Sequence, residues 1–103
     1  MMGDLLGNAQ KQQEEMKRQL AAMTVEAQAS DGAVKVTANG NRQILDISID
    51  KEKLDWDDVE QVQDFVLTAV NRALELAAEK EQAESQKLIQ QMLPPGLGGL
   101  FGG

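Results

Sequence analysis

The sequence predicts an α+β fold of the order α-β-β-β-α, in which a three-stranded antiparallel meander lies between two helices. Three observations predict it. Apolar residues recur at helical spacing near both ends of the chain, and three short segments between them alternate apolar and polar residues. Two turn signals separate those short segments. The 103 residues are enough for one domain only.

The first helix is predicted over about residues 4–23. Its apolar stripe alternates steps of four and three residues, which places the side chains on one helix face. Glu14 lies four residues before Arg18, and Lys11 lies four residues before Glu15, so both pairs suit ion pairing on a solvated face. The stripe consists of Met2, Leu6, Ala9, Gln13, Met16, Leu20 and Met23.

Three strands are predicted at about residues 24–30, 33–38 and 43–50. Asp31-Gly32 is a strong signal for a two-residue hairpin turn between the first two. The register that follows sets apolar residues opposite apolar residues throughout. The predicted pairs are Ala29 with Val34, Ala27 with Val36, Val25 with Ala38, and Gln28 with Lys35.

The second turn is predicted around Asn39-Gly40. A loop of two or four residues leaves Leu45, Ile47 and Ile49 on the face of Val34 and Val36, whereas an odd loop turns them to the opposite face. We therefore expect an even loop, with one sheet face on the core and the other in water. The predicted wet face carries Glu26, Gln28, Lys35, Thr37, Asp46 and Ser48.

The second helix is predicted over about residues 56–92, with Asp55 as its N-cap and Trp56 as a packing anchor. Pro94-Pro95 must end this helix. Residues 94–103 are glycine-rich and are predicted to form a flexible tail, so the single domain spans residues 1–93. The apolar stripe consists of Val59, Val62, Val66, Ala69, Val70, Ala73, Leu74 and Ala77.

The predicted lengths do not match, and the mismatch predicts a projecting arm. A helix over residues 56–92 is about 54 Å long and the first helix about 30 Å long, whereas a strand of six or seven residues spans only about 20–23 Å. The second helix must therefore overhang the sheet, with the first helix beside the overhang. Three strands and one helix also leave sheet edges and apolar surface uncovered, so we expect a twofold homodimer.

The composition argues against several function classes. The chain has no His and no Cys, so it lacks the usual general base and any thiolate metal ligand, and no cofactor, metal or small-molecule substrate is expected. The five acids of residues 54–65 are explained by helix capping. No apolar run reaches the roughly 18 residues of a membrane span. These features predict a non-enzymatic cytoplasmic protein without a membrane segment.

The order of several motifs resembles the YbaB/EbfC family of bacterial nucleoid-associated proteins over nearly the whole chain. The matching segments are "NAQKQQEEMKRQLAAM", "VKVTANG", "ILDISID", "FVLTAVNRAL" and "LPPG". The resemblance implies a homodimer with two projecting helical arms, likened to tweezers. It also implies binding of duplex DNA with weak sequence preference, and a role in nucleoid organisation or gene regulation.

The candidate DNA-binding residues are the cations of the two arm helices. Lys11, Lys17 and Arg18 lie on the first helix, which has no net charge, and the family resemblance makes its helical arm the expected DNA surface. Lys80 and Lys87 lie on the distal second helix, among several glutamates.

Two alternatives stay open at this point. In the first alternative, the cations of the first helix serve only solubility and pair with Glu14 and Glu15. The net charge of −7 also fits a protein–protein adaptor whose arms hold a protein partner, with no significant DNA binding.

Overall fold

The computed structural model describes residues 2–92, and the side chains of residues 6–91. The order is α-β-β-β-α, as the sequence predicts, and the predicted tail at 94–103 lies outside the described residues. The elements are α1 (Met2–Ala22), β1 (Thr24–Ala29), β2 (Val34–Asn39), β3 (Ile44–Ile49), a short 3-10 turn (Lys51–Lys53) and α2 (Val59–Met92).

The β1–β2 hairpin has the predicted register. Ala29 pairs with Val34, Gln28 with Lys35, Ala27 with Val36 and Val25 with Ala38. Four residues, 30–33, intervene between the paired Ala29 and Val34, so the connection is longer than the predicted two-residue turn. Ser30, Asp31 and Gly32 have left-handed φ values of 54°, 53° and 84°. The Asp-Gly signal therefore identified the residues that reverse the chain.

The β2–β3 connection is longer than expected. Ala38 pairs with Ile44, so five residues intervene and the expected even loop is wrong. A β-bulge absorbs the extra residue: Thr37 pairs with Asp46 and Ala38 with Ile44, which leaves Leu45 outside the regular pairing. The bulge places Ile47 opposite Val36 and Ile49 opposite Val34, so both lie on the predicted face of the sheet.

The core lies between one face of the sheet and α2. Ala69, Ala73 and Ala77 are fully buried at intervals of four residues, and they face the fully buried Val34 and Val36. Small side chains at that spacing let the helix axis lie close to the sheet. The opposite sheet face is solvated, as predicted: Glu26, Gln28, Lys35, Asp46 and Ser48 are exposed and Thr37 is half-buried.

The second helix begins later than expected and has a different N-cap. The carboxylate of Asp58 accepts a hydrogen bond from the backbone N–H of Gln61 at 3.1 Å, so Asp58 caps α2. Asp55 instead accepts from the N–H of Asp57 at 3.0 Å, within the preceding turn. Trp56 thus precedes the helix and is 48% exposed, outside the core that we expected it to anchor.

The predicted overhang is present. The 34 residues of α2 span about 51 Å, and its buried residues end at Ala77. The radius of gyration is 19.1 Å, against about 13 Å for a compact domain of this length. We call α1 and residues 78–92 of α2 the arm. Along the α1 stripe Leu20 is buried and Met16 is half-buried, but Leu6 is 67% exposed.

Candidate nucleic-acid interface

The two helices of the arm flank a cleft of about 290 Å³. From α1 it is lined by Gln12, Glu15, Met16 and Gln19, and from α2 by Glu84, Lys87, Leu88 and Gln91. These contacts define which side of α1 faces α2. At 100° per residue, the surface of α1 away from these residues carries Glu14, Lys17, Arg18 and Ala21, and Lys11 lies at its edge, about 90° from the middle of the cleft-facing side. We call this surface the outer side of α1.

The three predicted cations of α1 all lie on this outer side and are exposed. Lys11 and Arg18 are seven residues apart, close to two helical turns, so they align along the helix about 10 Å apart. Lys17 lies one position before Arg18, about 100° around the helix. Lys11 and Arg18 therefore share one line along α1, and Lys17 lies about 120° from Lys11 around the helix.

The ion pairs suggested by the helical spacing do not form. Among the described side chains, no carboxylate oxygen lies within 4.0 Å of a charged nitrogen of Lys11, Lys17 or Arg18; the ion pairs there are Arg42–Glu81 and Lys87–Glu84. The interpretation that Glu14 and Glu15 neutralise these cations thus has no geometric support. The outer side of α1 offers three cationic groups to an anionic partner.

A shallow groove extends the outer side of α1 onto the β2–β3 turn. It has a volume of about 440 Å³, and Glu14, Lys17, Arg18, Ala21, Asn41 and Gln43 line it. The side-chain amide nitrogen of Asn41 donates to the carbonyl oxygen of Lys17 at 2.8 Å, which holds the turn against the helix. Amide groups therefore border the cations. The groove is open to solvent, so a rod-shaped polyanion has room to lie along it.

The two predicted cations of α2 are separated from this surface. The ammonium group of Lys87 lies 3.4 Å from the carboxylate of Glu84, and both line the cleft between the helices. Lys80 is exposed, with Glu79 and Glu81 adjacent in the chain. Lys87 therefore lies at the mouth of the cleft, with its side chain 68% exposed, and Lys80 lies on a mixed-charge surface.

Sequence reasoning missed the part played by the β2–β3 turn. Arg42 was not among the predicted DNA-binding residues, and its guanidinium pairs with Glu81 at 3.2 Å. Asn39 is buried inside the turn and Asn41 lies against α1, and neither role was predicted. The available signal was the polar run Asn39-Gly40-Asn41 directly after a buried strand.

Two polar residues inside the apolar part of α2 are exposed. The guanidinium of Arg72 donates to the carbonyl oxygen of Gln28 at 3.3 Å, so it ties α2 to β1 rather than pairing with Glu75. Asn71 borders a shallow depression with Arg42 and Leu74. Neither residue adds a cation to the outer side of α1.

Within residues 2–92, no three His, Cys, Asp or Glu side chains converge in a way that would hold a metal ion. In that same part of the chain, no helix combines the length and apolarity needed to cross a membrane.

Comparisons with known proteins match this architecture. Residues 1–92 match the model of the YbaB/EbfC DNA-binding family. A nucleoid-associated protein of Pelotomaculum thermopropionicum is 42% identical, over 93% of this chain and 94% of its own. One from Acetivibrio thermocellus is 44% identical, over 98% and 88%.

The fold also recurs in a solved structure. The crystal structure of uncharacterized protein HP0035 from Helicobacter pylori superposes with a TM-score of 0.73 at 20% identity, covering 85% of this chain and 92% of that one. At that identity the likeness concerns the fold alone. The family match over residues 1–92, with relatives above 40% identity along most of the chain, establishes the assignment: this chain belongs to the YbaB/EbfC DNA-binding family.

Proposed function

We propose that the chain is a homodimeric nucleoid-associated protein that binds duplex DNA through the outer side of α1. The observation that carries this proposal is the group of Lys11, Lys17 and Arg18 exposed on the outer side of α1, with no carboxylate in ion-pair range among the described side chains. Family membership supports DNA as the partner. The protein acts in the cytoplasm at the nucleoid, in its organisation or in gene regulation, without enzymatic activity.

Weak sequence preference follows from the kind of contact proposed. Lysine and arginine side chains on phosphates fix position and orientation but read no bases. Glu14 lines the same groove as Lys17 and Arg18, and its charge disfavours deep insertion of this surface into a groove of the DNA. Binding is therefore expected to depend on the phosphate backbone, with little discrimination among base sequences.

The net charge of −7 does not preclude this binding, because the charge is distributed unevenly. The acidic start of α2 ends at Asp64, seventeen residues before Glu81, and that separation is about 26 Å along the helix. The Debye length at physiological ionic strength is about 8 Å. The charges at the acidic start of α2 are therefore screened from the base of the arm, where Glu81 lies. Glu81 itself pairs with Arg42.

The homodimer is proposed to form along β3. This strand is an edge of the sheet, in the order β1-β2-β3, and its Ile44, Leu45 and Ile47 are 37%, 52% and 45% exposed. An edge strand has unpaired backbone groups and invites another strand. Two copies of β3, antiparallel about a twofold axis, would satisfy the same groups in each copy. Leu67 of α2, 59% exposed, adds apolar surface.

Sedimentation equilibrium tests the homodimer. The wild-type chain should have twice the 11.2 kDa mass of one chain at micromolar concentration. Ile44→Gln with Ile47→Gln should shift it toward the monomer by removing apolar surface from the interface. Ser48→Gln, on the solvated face of the same strand, is the control and should remain dimeric. A wild-type monomer would contradict the homodimer, and a dimer unaffected by the double substitution would place the interface elsewhere.

Binding to random-sequence duplex DNA tests the DNA surface. Replacing Lys11, Lys17 and Arg18 with Gln should weaken binding by at least about tenfold, because it removes most of the phosphate contacts that release counterions. The control replaces Lys35, Lys51 and Lys53 with Gln. It makes the same change in net charge with three other exposed cations, and binding should change much less.

Equal losses in the two triple variants would show that only net charge matters and would refute the assignment to α1. Absence of wild-type binding at about 50 mM salt, where the electrostatic contribution is strong, would instead favour the adaptor function.

A further inference from the structure

The β2–β3 turn, residues 39–43, holds the end of α1. The backbone N–H of Gly40 donates to the carbonyl oxygen of Leu20 at 2.9 Å, one of the carbonyls that a helix end leaves without an intrahelical partner. The side chain of Asn41 donates to the carbonyl oxygen of Lys17 at 2.8 Å. Two bonds therefore fix the last turns of α1 to the sheet.

The same turn also holds α2. The Nε and Nη2 atoms of Arg42 each lie 3.2 Å from an oxygen of Glu81, so the guanidinium engages both carboxylate oxygens. Arg42 has a φ of 61°, in the left-handed region. Glu81 lies four residues beyond Ala77, the last buried residue of α2. The contact is therefore at the base of the α2 overhang.

The turn itself is held by an internal network. Asn39 is 2% exposed, and its side-chain oxygen accepts from the backbone N–H groups of Asn41 at 3.0 Å and Gln43 at 3.1 Å. Its side-chain nitrogen donates to the side-chain oxygen of Gln43 at 2.8 Å. The backbone N–H of Arg42 donates to the Asn39 carbonyl at 3.0 Å. These bonds make the turn a stiff link between α1 and α2.

We infer that residues 39–43 are a joint that sets the direction of α1 relative to α2, and so the placement of the DNA-binding cations. The inference rests on the proposed function of the outer side of α1. Asn41 and Arg42 are positioning residues in this scheme. Beyond the joint the helices are separated by the open cleft, and Leu6 near the tip is 67% exposed, so the bonds at the base determine the helix direction.

Substitution of Glu81 distinguishes the proposed joint from an effect of net charge alone on DNA affinity. Glu81→Gln breaks the pair with Arg42 and removes an acid, so electrostatics alone predicts tighter DNA binding. The joint predicts weaker binding, because α1 loses its fixed direction. Glu79→Gln is the matched control: it removes the same charge from the same helix, at an exposed residue that does not line the depression beside Arg42. Asn41→Ala removes the donor to Lys17 without changing the charge.

The experiment compares Asn41→Ala/Glu81→Gln with Glu79→Gln. Nitroxide labels at Gln13→Cys on α1 and Ser48→Cys on the sheet are unique, since the chain has no cysteine, and both positions are exposed. Labelled chain is diluted in unlabelled chain so that distances are measured within one subunit. Double electron–electron resonance spectroscopy in the absence of DNA should give a broadened distribution of label-to-label distances for the double variant only. Its affinity for random duplex should be about fivefold weaker, the effect of losing roughly one net hydrogen bond.

An unchanged distance distribution in the double variant overturns the joint, whatever happens to DNA binding. A broadened distribution with unchanged or tighter DNA binding overturns its role in placing the cations. If the double variant does not fold, the single Glu81→Gln variant, which alters one partly exposed side chain, replaces it and is interpreted in the same way. A wild-type chain that fails to bind DNA overturns the proposed function, and the distances still decide whether the turn directs α1.

Discussion

Gly40 and Leu20 lie too close together for any other residue at position 40. A Cβ atom there would lie 2.8 Å from Cδ2 of Leu20 and 3.0 Å from its carbonyl oxygen. The φ of Gly40 is not in the left-handed region, so close approach of α1, rather than backbone conformation, requires the glycine.

Gly40→Ala should therefore lower the free energy of unfolding by about 1–3 kcal/mol, the usual cost of overpacking. Denaturant melts monitored by circular dichroism measure it. Gly7→Ala is the control, because nothing lies within 4 Å of a Cβ at that position in α1. Alanine there should be neutral or stabilising by up to about 1 kcal/mol, from its higher helix propensity. A Gly40→Ala protein as stable as wild type would show that α1 can move away from the turn at little cost.

Asp58→Ala should destabilise the protein by about 0.5–2 kcal/mol, because the carboxylate caps the N–H of Gln61. Asp57→Ala removes the same charge one residue earlier, and it should cost less. Urea melts of the two variants compare the costs directly. Equal costs would indicate that the charge near the helix start, and not the cap, provides the stability.

Ala73→Leu should destabilise the protein by about 1–3 kcal/mol, since residue 73 is fully buried between α2 and the sheet. The control is Ala83→Leu, ten residues further along the same helix at an exposed position, which should be nearly neutral. Thermal unfolding at matched protein concentration distinguishes them. A tolerated leucine at position 73 would mean that the helix and the sheet are not closely packed.

The affinity for random duplex DNA should fall with salt on a log–log slope of about −3 to −5. A dimer presents six cations from Lys11, Lys17 and Arg18, and contact with about three to five phosphates at −0.9 each gives that range. Fluorescence anisotropy between about 50 and 200 mM salt measures the slope. A much steeper slope would require cations beyond the outer side of α1.

Arg18→Gln should weaken DNA binding more than Lys87→Gln, although both remove one positive charge per chain. Arg18 lies on the outer side of α1, whereas Lys87 is paired with Glu84 in the cleft. The salt slope of the Arg18 variant should be shallower by up to about 2 per dimer. Equal effects of the two substitutions would show that only net charge matters and would contradict the assignment to the outer side of α1.

The sequence predicted the local features of this fold well. The element order, the β1–β2 register from Asp31-Gly32 and the overhang of the second helix all follow from periodicity, turn chemistry and length. The bulge at Leu45 and the cap at Asp58 were missed, because neighbouring residues offered equally plausible alternatives and packing decided between them.

The candidate site was predictable in part. Lys11, Lys17 and Arg18 could be placed on one helix from spacing and charge. The absence of ion pairs with the neighbouring glutamates could not, because side-chain pairing at an exposed surface is worth only a few tenths of a kcal/mol. The bond from Asn41 to Lys17 joins residues 24 positions apart, and no local pattern encodes such a contact.

Because α1 is long and is attached to the sheet near Leu20, a rotation about that residue, the fulcrum, moves the far end of the helix most. Lys11 lies nine residues, or about 14 Å, from that fulcrum, and Arg18 only about 3 Å. A rotation of about 15° would carry Lys11 through about 3.5 Å, while Arg18 would move by less than about 1 Å. A modest rotation would therefore relocate the distal contact while the proximal contact keeps its place.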